Sequence, residues 1–151
     1  MTGGHGSESH ASGRIAESFG RQTLMALFGA TLDRVAKGEV DIRLPYRPDL
    51  CQQHGFLHAG VVTAIVDSAC GYAALTTMPD GVGVLSVEFK INLLAPAAGD
   101  EFIARGRVVR AGRTVTVCTG EVVARQNGAE KPIALMQATM MTVRGRDEVV
   151  G

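Results

Sequence analysis

Between Leu50 and Met78 only one residue carries a formal charge when histidine is neutral: Asp67. It stands in the middle of an apolar run, Ala59 to Leu75. An unpaired carboxylate in apolar surroundings is costly, and a helix interior gives Asp no propensity benefit. Something must offset that cost. A functional role is one thing that could. The plainer reading is an Asp on a solvent-facing stripe, or one paired with an Arg elsewhere, and on burial alone the two weigh about equally. Cys70 follows one turn later, where packing is a better account of a free thiol than a Cys–His nucleophile.

The second constellation precedes the same run: Gln52-Gln53-His54-Gly55-Phe56-Leu57-His58-Ala59-Gly60. The first N–H groups of a helix lack intrahelical partners, and the macrodipole adds roughly half a positive charge there. Such an end, here Ala59-Gly60, can receive a carbonyl oxygen that becomes an oxyanion. Asp67 lies more than two turns further along, about 10 Å or more. One helix therefore cannot bring both groups to one small carbonyl. A second copy of the chain could, which predicts a dimer with shared sites. His58, just before the helix, suits capping better than proton transfer. His54, in the open loop, could polarise a carbonyl.

Elements must position these groups. Residues 1–13 are Gly-, Ser- and His-rich with little to bury, and predict a disordered tail that leaves His5 and His10 outside the site. Ile15, Phe19, Leu24 and Leu27 predict an amphipathic helix from Arg14 to about Phe28. Two strands follow, Ala30–Ala36 and Glu39–Tyr46, joined by Lys37-Gly38. The second has Val40, Ile42 and Leu44 on one face and Asp41 and Arg43 on the other. After the apolar helix, Met78-Pro79-Asp80-Gly81 signals a turn. Leu85, Val87, Phe89, Ile91 and Leu93 then alternate with Ser86, Glu88, Lys90 and Asn92. Strands over Glu101–Arg110, Arg113–Arg125 and Pro132–Arg144 complete an antiparallel meander. The class is α+β: a sheet whose apolar face needs the Ala59–Leu75 helix as cover. One domain spans 14–146, and 147–151 is a frayed tail.

Composition narrows the function. Lys+Arg and Asp+Glu both number 15, and no basic stripe is visible, which weighs against nucleic acid. Three cysteines match no zinc or redox spacing, and no secretory signal opens the chain. Reduced thiols in the cytoplasm follow. The apolar run is short for a membrane span and holds Asp67. The four histidines are too scattered for a metal, so no cofactor is expected.

Gln52, then His58-Ala59-Gly60 six residues on, then Asp67 nine after His58, resembles the signature of PaaI-like hotdog thioesterases. That family includes phenylacetyl-CoA and hydroxybenzoyl-CoA thioesterases and medium-chain relatives. The strand Leu85 to Ala97 and Gly112-Arg113-Thr114 carry the resemblance on, over about Gly38 to Val143. The resemblance implies a hotdog fold, a curved antiparallel sheet wrapped around a central apolar helix. It implies a dimer with shared active sites, often paired into a tetramer, and hydrolysis of acyl-CoA to free acid and CoA. Asp67 would be nucleophile or general base. The Ala59 N–H, with Gly60 beside it, would receive the thioester oxygen. Gln52 would orient water or substrate, His58 would stand at the helix start, and Ser86 would support from the strand. Ala59 replaces the usual Gly, and a positive φ there would strain it. His54, Gly55, Arg110 and Arg113 are candidate substrate contacts; Arg suits CoA phosphates, although any single Arg is as well read as hairpin charge. The alternatives are a non-catalytic acyl-CoA-binding module and, further off, a hydratase or dehydratase. The acyl group stays open.

Overall fold

The computed structural model describes residues 4–151. Helix α1 (Gly4–Arg21) leads into a short α2 (Thr23–Phe28), then strands β1 (Thr31–Ala36) and β2 (Glu39–Pro45). The central helix α3 (Ala59–Leu75) follows, and then β3 (Gly83–Leu93), β4 (Glu101–Ala111), β5 (Val115–Gln126) and β6 (Ala129–Val143). The six strands form one antiparallel sheet in the order β1-β2-β4-β5-β6-β3. The hotdog expectation holds: the sheet curves around α3, whose Val62, Ile65, Val66, Ala69, Cys70 and Ala73 are buried against it. Among the described residues, no helix is long and apolar enough to cross a membrane.

The sheet approaches α3 closely because two strand positions lack a side chain. A Cβ at Gly106 would run into the Ala69 carbonyl and the Cys70 amide; one at Gly120 would meet Val66 and the Cys70 sulfur. The β5–β6 hairpin closes through Asn127 (φ 51°) and Gly128 (φ 78°), the two positive angles that a tight hairpin turn demands.

Three sequence expectations need correction. First, α1 reaches back to Gly4, over residues expected to be disordered; Met1 to Gly3 lie outside the described residues. The helix is anchored further along, where Arg14 donates to the carbonyls of Met78, Val82 and Gly151 and Ile15 is fully buried. Extension from an anchored turn costs far less than nucleation. Second, the expected helix over 14–28 is two helices. Gln22 is extended (φ −80°, ψ 99°), and the break rotates the second piece so that Met25 and Phe28 are buried while Leu24 and Leu27 face out. Third, 147–151 does not fray. Gly151 N–H donates to Val82 O, Arg21 to Val150 O, and Val149 lies against Gly83.

Strand β3 departs from strict alternation. A bulge between Ser86 and Glu88 shifts its register on β6. Ser86 pairs with Met140, and after the bulge Phe89, Ile91 and Leu93 pair with Ala138, Met136 and Ala134. All four partners are buried, and directly opposed residues share a face. The bulge thus places Ser86 on the helix side together with Phe89, Ile91 and Leu93.

Candidate active site

Asp67 sits on the flank of α3 that looks toward β3. Its Oδ1 accepts a 2.7 Å hydrogen bond from Ser86 Oγ, which also contacts Met140 Sδ at 3.3 Å. Asp67 is half-buried and forms no ion pair among the described residues. Pairing with an Arg is therefore not what offsets its burial. The carboxylate opens onto a cleft of about 370 Å³, lined also by Gln22, Ser68, Tyr72, Val84 and Gly151.

The helix start faces a different space. Ala59 and Gln52 line a second cleft of about 530 Å³ with Phe56, Leu57, Leu93 and Pro96. The loop is tied at its base by Leu57 N–H to Ala97 O and His58 N–H to Leu50 O, both 3.0 Å. Gln52 Oε1 accepts from the His54 N–H, which pins the carboxamide oxygen and leaves its NH₂ free to donate. Gly55 takes a φ of 83°, and its carbonyl accepts from Tyr46 Oη at 3.1 Å. His54 and Gly55 are exposed on this loop.

His58 caps α3: its Nδ1 accepts from Gly60 N–H at 2.8 Å. The cap occupies the Gly60 donor and leaves the N–H of Ala59, at the first helical position, with no partner among the described residues. Ala59 is not strained, since Asn127 is the sole non-glycine with positive φ among the described residues. Ala59 and Asp67 are eight residues apart on one helix, about 12 Å along its axis. One chain thus presents the Asp67 carboxylate and the unpartnered Ala59 N–H in two separate clefts.

The arginines divide. Arg105 and Arg107 are committed to Glu130 (2.8 Å) and Asp41 (2.6 Å). Arg110 and Arg113 are exposed and form no ion pair among the described residues. Arg110 pairs with Val117, which pairs with Thr139, the partner of Glu88; it therefore faces away from α3, opposite to Ser86. Arg113 lies in the β4–β5 turn, its carbonyl accepting from Arg144 at 3.1 Å. Neither reaches the Asp67 cleft within one chain.

Burial, then the neighbouring Cys118 and Asp67, pushes the Cys70 thiol far up. Fully buried, it packs against the sheet, as a structural thiol does. Among the described residues no three His, Cys, Asp or Glu side chains cluster as metal ligands would.

Residues 54–131 match the family model described as the thioesterase superfamily, which spans the helix-start loop, α3 and β3 to β5. The chain belongs to the thioesterase superfamily. A candidate esterase of Halobacterium salinarum is 31% identical over 112 residues, covering 71% of this chain and 74% of that protein. The crystal structure of a thioesterase family protein from Silicibacter pomeroyi superposes with a TM-score of 0.88 at 47% identity, over 89% of this chain and 99% of that one. The Escherichia coli PaaI protein, from the phenylacetic acid degradation operon, shares the fold at a TM-score of 0.82 and 20% identity, over 91% of this chain and 96% of that one. Hydrolysis of an acyl thioester is the activity that this superfamily membership supports.

Proposed function

We propose that this thioesterase-family protein hydrolyses acyl-CoA at sites shared between two copies of the chain. The observation that carries the reading is the split site. Asp67 with its Ser86 partner opens on one cleft, and the uncommitted Ala59 N–H with Gln52 opens on another. Either half alone is chemically incomplete. A second copy supplies the missing half if the two sheets join along β3, which pairs on one side only. That edge exposes Val87, Phe89 and Leu93.

In the joined site the thioester oxygen points at the Ala59 N–H of one copy, at the positive end of α3. Asp67 of the other copy attacks the carbonyl carbon, or takes the proton of the attacking water. In the first route the carbon–sulfur bond breaks, CoA thiolate leaves, and water hydrolyses the mixed anhydride left on Asp67 to free the acid. In the second the water oxygen bonds the carbonyl carbon and the carbon–sulfur bond breaks directly, and in both the thiolate is protonated as it departs. The Gln52 NH₂ holds the water or the carbonyl. Ser86 fixes the carboxylate rotamer. Arg113, with Arg110 and Arg144 nearby on the sheet, meets the CoA phosphates; neutralising Arg113 raises KM.

The test is free-thiol release from aryl, short, medium and long acyl-CoAs, with wild type beside Asp67→Asn. Turnover that falls at least about a hundredfold in the variant is expected, the scale of losing a positioned base. A folded wild type that turns over no acyl-CoA removes this reading in favour of an acyl-CoA-binding module. Equal turnover in both proteins removes Asp67.

A further inference from the structure

We propose that Gln22 determines specificity in the Asp67 cleft by binding a neutral hydrogen-bonding group at the far end of a compact acyl substituent; this rests on the hydrolase reading above. The cleft runs along one flank of α3, past Asp67, Ser68, Gly71, Tyr72 and Leu75. Asp67 and Leu75 are eight residues apart, about 12 Å of helix. Its far end is closed by parts of the chain outside the family-matched residues 54–131: the end of α1, Gln22, and the docked segment Glu148 to Gly151.

Gln22 occupies the extended break between α1 and α2, which turns its side chain toward α3. Its Oε1 accepts from Ser68 Oγ at 3.1 Å, and its Nε2 donates to Tyr72 Oη at 3.3 Å. Tyr72 is held in turn by Phe19, ring centroids 5.8 Å apart. The amide is held between two hydroxyls with capacity to spare. One amide hydrogen, one carbonyl lone pair and the Tyr72 hydroxyl proton have no partner among the described residues. A wholly apolar acyl group would strip water from these groups without replacing it, which costs on the order of tenfold to a hundredfold in affinity. The charged residues lining the cleft, Asp67 and Glu148, are both acidic, which disfavours a carboxylate end. A hydroxyl satisfies both conditions.

The experiment uses two CoA thioesters that differ by one terminal hydroxyl on an aryl-acyl group, and the two corresponding free acids. The wild type is expected to favour the hydroxylated thioester at least tenfold in kcat/KM. Gln22→Leu, close in size, should bring that ratio toward one. Tyr72→Phe, which keeps the ring on Phe19, should lower it in part. Calorimetric binding of the free acids reads the cleft apart from turnover, with the same preference expected. Equal binding of the two acids by wild type, or an undiminished preference in Gln22→Leu, overturns the proposal even if both thioesters are hydrolysed. Preferential acid binding without any turnover supports Gln22 and instead sinks the hydrolase reading.

Discussion

At the scale of single residues, the Ala59 N–H can be removed without disturbing the helix. Ala59 is the first residue of α3, where proline is favoured, and His58 before it is extended (φ −61°, ψ 138°), as a residue preceding proline must be. Ala59→Pro should keep wild-type thermal stability and lose about 10²–10³ in kcat, the usual effect of deleting an oxyanion donor. A variant that stays fully active would place the oxyanion elsewhere. Cys118 gives a second residue-scale expectation. Burial raises its thiol from 9.0 to about 11. Below pH 9 both folded and unfolded chains hold that proton. Between pH 9 and 11 the unfolded chain loses it first, so stability falls as pH rises through this window. The buried Cys70 acts in the same direction and further up. Urea midpoints across this range should decline less steeply in Cys118→Ala than in wild type.

Among the elements, the contact of α3 with the sheet sets the site. Gly106 lies against the α3 backbone and Gly120 against side chains. Adding a methyl at Gly106 must push the helix away, whereas Val66 and Cys70 can partly yield at Gly120. Overpacking typically costs 1–3 kcal/mol, and rigid backbone places Gly106→Ala at or beyond about 3 kcal/mol, with Gly120→Ala below it. Denaturant unfolding of the two variants should return that order. The α3 boundaries were legible because an apolar run of small residues bounded by His58 and the Met78-Pro79 turn admits little else. The bulge in β3 was not. Its residues alternate regularly in type, and only the pairing with β6 shows that Ser86 and Phe89 share a face.

For the whole molecule, the decisive feature is the open β3 edge. Val87, Phe89 and Leu93 are between 43% and 57% exposed on a strand that pairs only with β6. Exposed apolar edges invite pairing with another chain. Phe89→Asp, at the middle of that edge, should shift the protein to monomer in sedimentation analysis and reduce thioester turnover to the level of Asp67→Asn. A monomer with full activity would show that one chain holds a complete site.

The sequence by itself determined the α+β class, the limits of α3, and the Gln52–His58–Asp67 spacing, because helix periodicity, capping and turn chemistry act over a few neighbouring residues. It also separated Asp67 from Ala59, since eight residues of helix have a fixed length. Tertiary structure alone decided that Asp67 meets Ser86 rather than an Arg. It likewise decided that Gln22, which looked like part of a continuous helix, lies beside Ser68 and Tyr72. Each of these depends on a side chain meeting another element across the core, where packing and pairing register, not local pattern, set the distance.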